Sequence, residues 1–120
     1  VYGGNYPPLD QKFGGQNHGT DCSGLCQWAY NDAGYNVDLA GRWTTYTMYA
    51  KGVKIAISDA QPGDVVFTNF SSPSRPEHVR LIKSISGNTI TYIGAENEDI
   101  GIIEGTMSYN SSSHKIATFP

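Results

Sequence analysis

Cys22 heads the run Asp21-Cys22-Ser23-Gly24-Leu25, and a second thiol, Cys26, follows four residues later. Apolar residues at Cys22, Leu25, Cys26, Ala29 and Ala33 recur at helical spacing, which predicts a helix starting at Cys22. Thr20 or Asp21 can cap its start and Gly34 its end. A thiol in the first turn of a helix meets unpaired backbone N–H groups and the positive end of the macrodipole, both of which favour the thiolate. The small Ser23 and Gly24 leave room for a substrate backbone, and the same N–H groups could serve an oxyanion. The alternative is that Cys22 is a small buried hydrophobe. Cys26 lies one turn deeper on the apolar stripe and reads as core. Side chains on adjacent turns of one helix run in parallel, a poor geometry for a bridge, so two thiols are expected rather than a disulfide.

A thiolate nucleophile needs a base, and the histidines are His18, His78 and His114. His18 precedes Cys22 by four residues in a loop and could reach it only through a tight turn. His114 opens the last predicted strand. His78 begins a strand after an exposed loop, where the sheet can fix an imidazole that stays reachable. Zinc bound by Cys22, Cys26 and His18 would lack a second cysteine pair or a His-x3–5-His spacing, so no metal and no cofactor is implied.

The elements that must carry these groups are legible in outline. The first twenty residues are rich in Gly, Pro and Asn and read as a long ordered loop. A second helix is expected from Trp43 to Ala50, stopped by Gly52, with Trp43, Tyr46 and Tyr49 able either to line a groove or to pack. Strands are expected over Val53–Ile57, Asp64–Phe70, His78–Ile85 and Thr89–Glu96, with GIIEGT and HKIATF as two more. The turn Gln61-Pro62-Gly63-Asp64 feeds the second strand, and a Ser/Pro loop from Ser71 to Pro76, which could border a cleft, precedes His78. Helices first and sheet afterwards make an α+β fold: N-terminal helices packed on an antiparallel sheet of about five or six strands, one domain over residues 1–120.

Composition narrows the class. Eight Lys and Arg against eleven Asp and Glu give a net charge of −3, without the basic excess of a nucleic-acid binder. No apolar run reaches the ~20 residues of a membrane span. The chain opens on Val1 with no signal peptide, which suits a mature or excised domain.

Four motifs in order carry a family resemblance: Val1-Tyr2-Gly3-Gly4, Asp21-Cys22-Ser23-Gly24-Leu25, Gln61-Pro62-Gly63-Asp64-Val65-Val66-Phe67 and His78-Val79. The chain resembles the NlpC-type cell-wall peptidases, a branch of the papain-like cysteine peptidases. Their pattern runs Tyr-x-Trp/Tyr-Gly-Gly, D-C-S-G-[LV], L-x-P-G-D-L-V-F and H-V-G-I. The resemblance implies Cys22 as nucleophile and His78 as general base. It also implies Asp21 and Ser23 holding a free amino end of a stem peptide, with Tyr2 of the entry motif at the groove wall. The implied reaction is hydrolysis of bacterial peptidoglycan stem peptides, typically at the D-glutamyl linkage to the third residue. The implied setting is extracellular, cell-wall or phage-virion-associated, as a monomeric domain of a larger protein.

The family commonly has a polar residue, often His, in an I-H-A stretch on the following strand, where this chain has Ile93-Gly94-Ala95. Hairpin register supplies a substitute. A three-residue loop at Ser86-Gly87-Asn88 sets Ile85 opposite Thr89 and His78 opposite Glu96, with Val79, Leu81, Ile93 and Ala95 on the other face. A two-residue loop would bring Asn97 opposite His78 but put Glu96 among those apolar residues, so the cleaner core favours Glu96. Either side chain could accept a hydrogen bond from the far ring nitrogen of His78. A Glu or Asn there is similar to the related CHAP domains, so an amidase or cross-bridge endopeptidase, and a catalytically silent wall-peptide binder, are the alternatives.

Overall fold

The stripe beginning at Cys22 forms the first helix, α1 (Cys22–Asp32), in a computed structural model of the chain. The structure describes residues 22–35, 37, 39, 41, 43–96 and 101–119; the expectations for Tyr2, His18, Thr20, Asp21 and Asn97 lie outside them. Gly34 ends the helix as expected. At φ +74° it takes the left-handed turn, and the Tyr35 N–H returns 2.8 Å to the Tyr30 carbonyl.

Helix α2 (Thr45–Lys51) begins two residues later than its apolar pattern suggests, because Thr44 caps it. The Thr44 hydroxyl accepts the Thr47 N–H at 3.1 Å, and the Thr47 hydroxyl accepts the Thr44 N–H at 2.9 Å, a reciprocal capping box. Trp43 therefore sits outside the helix and points inward.

Six strands follow: β1 (Val53–Ile55), β2 (Val65–Ser72), β3 (Arg75–Ser86), β4 (Thr89–Ala95), β5 (Ile102–Ser108) and β6 (Lys115–Thr118). They form one antiparallel sheet in the order β1-β6-β2-β3-β4-β5. Two expectations need correction. The strand predicted through Ile57 stops at Ile55, where its pairing with β6 ends, and Ile57–Asp59 coil into a 3-10 turn instead. The Ser71–Pro76 segment is mostly strand rather than loop. Phe70 pairs with Pro76 and Ser72 with Arg75, so strand runs through most of it and only Pro73 and Ser74 are left to turn.

Alternation along the central strands separates two apolar layers. Val65 and Phe67 of β2, Val79 of β3 and Ala117 of β6 pack under the helices, against Cys22, Cys26, Tyr30 and Met48. Val66, Ile82, Ile90, Tyr92 and Ile116 form the second layer with Tyr109, and Ile57 of the 3-10 turn packs against it. Each fully buried side chain of the size of Phe67 contributes roughly 1.5–3 kcal/mol. Trp43, offered by sequence as a groove wall, is 4% exposed within the first layer, where its indole N–H donates to the Leu39 carbonyl at 3.0 Å. Just outside the cap of α2, its ring stacks beside Tyr30 and Phe119 and is core. Tyr49 meets Phe67 and Phe70 edge-on, and of the three aromatics only Tyr46 is exposed.

The Pro62-Gly63 turn couples the layers. Gly63 takes φ +97°, the Asp64 N–H closes on the Gln61 carbonyl at 3.0 Å, and the Asp64 carboxylate accepts the Gln61 N–H at 2.8 Å. The Tyr30 hydroxyl donates to the Gly63 carbonyl, so the helix carrying Cys22 is tied to the start of β2.

Candidate active site

The site is assembled at the first turn of α1, the first residue of α2 and the strand β3. The Cys22 sulfur is buried, 3.4 Å from the Thr45 hydroxyl, and it is hydrogen-bonded by the His78 side chain and by the Val79 backbone N–H. On its far side, His78 Nε2 lies 2.8 Å from Glu96 Oε2. The ring nitrogen left for Cys22 is therefore Nδ1. His78 itself is 7% exposed, so its contacts are made largely out of water.

Hairpin geometry explains how Glu96 arrives. The β3–β4 turn has two residues, not three: Ser86 pairs with Thr89, and Gly87 takes φ +59° at the first central position. Continued straight, that register would bring Asn97 opposite His78. A bulge at Lys83 adds one residue to β3, so Ile82 pairs with Tyr92 and Leu81 with Ile93. Beyond the bulge the register, extended from Leu81 and Ile93, runs toward His78 and Glu96, and those two side chains meet. The three-residue turn of the sequence reading is replaced by a two-residue turn and a bulge. The bulge also lets Ile82 and Ile85, of opposite parity, both face the second apolar layer.

Electrostatics favours charge separation. Burial pushes the Cys22 thiol up, but hydrogen bonds from His78 and Thr45, the imidazolium charge and the Val79 N–H outweigh it and hold the thiol below its ordinary value. Burial pushes His78 down, but hydrogen bonds to Cys22 and Glu96 and their negative charges leave it above an ordinary imidazole. Burial likewise raises Glu96, and the Arg80 and His78 contacts more than reverse that. Each shift runs toward the charged form: thiolate at Cys22, imidazolium at His78 and carboxylate at Glu96.

Two residues here were missed by sequence reasoning. Thr45 gave no signal beyond its place near a helix start. Arg80, two residues after His78 on β3, drew no role from sequence, yet its Nη2 lies 2.6 Å from Glu96 Oε1 and its Nε 3.2 Å from Oε2. Ser23 is buried in the first turn of α1. Cys26 is fully buried, and no disulfide joins the two thiols. His114 accepts the Asn110 N–H on Nδ1 within the β5–β6 connection. Among the described residues, no group of three or more His, Cys, Asp or Glu could hold a metal ion, and no helix is long and apolar enough to cross a membrane.

The same architecture occurs in known proteins. The P60 domain of an antigen from Mycobacterium avium subspecies paratuberculosis superposes with a TM-score of 0.64 at 20% identity, over 99% of this chain and 81% of that one. RipD from Mycobacterium tuberculosis, described as a non-catalytic NlpC/p60 domain protein adapted to peptidoglycan binding, superposes with a TM-score of 0.59 at 22% identity, over 98% and 81%. In sequence, a probable endopeptidase p60 of Listeria grayi is 44% identical over 52 residues, 43% of this chain but only 9% of that protein. The sequence pattern of the NlpC/P60 family matches residues 2–116. A match of that extent, on a fold shared with P60 domains, makes this chain a member of the NlpC/P60 family.

Proposed function

We propose that the domain is a cysteine peptidase that hydrolyses amide bonds in bacterial peptidoglycan stem peptides, at the D-glutamyl linkage to the diamino acid. The observation that carries this reading is the unbroken contact series Cys22–His78–Glu96, with the thiol held low and the imidazole high. A domain that only bound wall peptides would have no use for a thiol held low beside a histidine that a carboxylate orients.

In this reading His78 Nδ1 takes the Cys22 proton, and the thiolate attacks the scissile carbonyl carbon. Backbone N–H groups in the first turn of α1 stabilise the oxyanion that forms. The C–N bond breaks as the imidazolium gives its proton to the leaving amine, and a Cys22 thioester remains. Water, deprotonated by His78, attacks the thioester carbonyl. The C–S bond breaks, the new carboxyl group leaves, and the proton returns to sulfur. Glu96 stays ionised throughout and acts on the reaction through His78.

Asp21 and Ser23 would hold the free amino end of the stem, with Tyr2 at the groove wall. Residues 1–120 would act as one catalytic domain, monomeric within a larger protein, at the cell wall or on a phage particle. Digestion of purified peptidoglycan by the wild type and by Cys22→Ala, read by mass spectrometry, tests the proposal. The expected products carry new D-glutamyl carboxyl ends and are absent with Cys22→Ala. A free alanyl amine instead would make the domain an amidase. Wall binding without any product would put it with the binding domains.

A further inference from the structure

Glu96 stands one residue past the end of β4, with a side chain of three rotatable torsions, yet its carboxylate meets His78 at hydrogen-bonding distance. Something other than the strand must aim it. We propose that Arg80 and Gly94 form a cradle that positions the Glu96 carboxylate against His78, Arg80 by a two-point ion pair and Gly94 by the space its missing side chain leaves. The inference rests on the Cys22–His78–Glu96 reading above.

The space is specific. A Cβ on Gly94 would stand 2.3 Å from Glu96 Oε2, 3.4 Å from its Cδ and 3.2 Å from Arg80 Cγ. The carboxylate thus occupies the space over Gly94 where any other residue would place its own side chain. Arg80 closes the cradle from β3. Its Nη2 and Nε take one carboxylate oxygen each, a side-on fork that fixes rotation as well as distance. The guanidinium is itself held, 4.2 Å over the Tyr92 ring and 3.6 Å from the Met107 sulfur. Tyr92 can lie under it because the next strand also carries a glycine: a Cβ on Gly105 would come within 2.8 Å of the Tyr92 oxygen. Two glycines on neighbouring strands therefore seat, in turn, the tyrosine beneath the arginine and the carboxylate beside it. Glu96 Oε2 accepts from both His78 and Arg80, so a shift at either end is felt at the other.

The test reads the imidazole and the thiol without any wall substrate. Proton NMR of the wild type should show a downfield imidazole N–H resonance, assigned by its loss in Glu96→Gln. Iodoacetamide alkylation at neutral pH follows the Cys22 thiolate. Arg80→Met and Gly94→Ala should each displace or abolish the resonance and slow alkylation by about tenfold, one pKa unit of lost stabilisation. Neither should add to the loss in Glu96→Gln. Arg80→Lys, with the charge kept and one contact possible, should recover part of it. Arg80→Met changes charge as well as aim, whereas Gly94→Ala changes no charge, so agreement between the two variants is what reports lost aim.

An unchanged resonance in both variants, or faster alkylation in Arg80→Met, overturns the cradle. If Gly94→Ala melts early, Gly94→Ala/Glu96→Ala should melt no lower than Glu96→Ala alone, since the group that the Cβ meets most closely is gone; a further loss in the double variant makes Gly94 a strand residue only and also overturns the cradle. A wild type with the resonance and a fast thiol that releases no muropeptide would sink the peptidase while leaving the cradle intact.

Discussion

The Cys22 sulfur and the Thr45 hydroxyl lie 3.4 Å apart in a buried contact that joins the first turn of α1 to the first residue of α2. Thr45 directly follows the capping box of Thr44, so the device that starts α2 also fixes this hydroxyl. Toward a thiolate the hydroxyl can only donate. Hydrogen bonds to charged groups contribute about 1.5–3 kcal/mol, and a contact to sulfur of this length belongs at the low end. Thr45→Val keeps the branched shape and removes the donor. Alkylation of Cys22 at neutral pH should slow by about tenfold with little change in melting temperature. An unchanged rate would reduce Thr45 to a packing residue.

The two reporters of the site should differ in pH dependence. Alkylation needs only the thiolate, so it should rise in a single step with its midpoint below the 9.0 of an ordinary thiol, because Cys22 is lowered. Hydrolysis also needs an imidazolium to protonate the leaving amine. Its rate should therefore fall on the alkaline side as His78 deprotonates, above the 6.5 of an ordinary imidazole, because His78 is raised. Alkylation with an ordinary thiol midpoint would contradict the ion pair. A hydrolysis rate still climbing well past that point would contradict the acid role of His78.

Stability should carry the signature of Glu96. Its carboxyl is lowered in the fold, so the stabilisation is fully present above the ordinary 4.5 and is lost as the pH falls through the lowered folded value. Glu96→Gln removes the anion and leaves Arg80 without its ion-pair partner on a part-buried surface. A loss of about 1–3 kcal/mol is expected at neutral pH. Urea unfolding of both proteins across the acid range should show the curves converging as Glu96 protonates in the wild type. A constant gap down to low pH would mean the loss is steric rather than electrostatic.

Much of this site is written in local sequence, and the unwritten part is tertiary. Cys22 was legible because a helix start is a local event, signalled by the apolar stripe. His78 and Glu96 were legible as a pair because strand alternation forbids a carboxylate among Val79, Leu81 and Ile93. The device that pairs them was not, since a bulge at Lys83 has no strong sequence mark and a two-residue turn plus one bulge imitates a three-residue turn. Arg80 and Gly94 both depart from the family pattern, which has glycine in the first place and a polar residue in the second. Read singly, each departure weakens the case; in space they meet, the arginine reaching into the room the glycine leaves. Trp43 misled because an aromatic beside a helix start looks the same whether it faces a groove or the core.

Tyr30 should be a stability residue whose loss leaves the chemistry intact. Its hydroxyl donates to the Gly63 carbonyl, and burial pushes its phenol up, so it remains a donor at every working pH. Tyr30→Phe leaves that carbonyl short of a partner, at about 1–2 kcal/mol. The urea midpoint should fall with the slope of the transition unchanged, while the alkylation rate of Cys22 stays near wild type. Slower alkylation would show that the Pro62-Gly63 turn helps to aim α1.

The two cysteines offer the sharpest contrast, because they share one helix, one element type and full or near-full burial. What separates them is their surroundings: Cys22 meets Thr45, His78 and Val79, whereas Cys26 packs within the layer of Tyr30, Trp43 and Met48. Cys22→Ala should abolish hydrolysis and remove the fast-reacting thiol at little cost in stability. Cys26→Ala should do the reverse, lowering stability by about 1 kcal/mol through a small cavity while leaving most of the activity and the whole pH profile. Mass spectrometry after brief alkylation assigns the label directly, and a label on Cys26 ahead of Cys22 would reverse the assignment of the nucleophile.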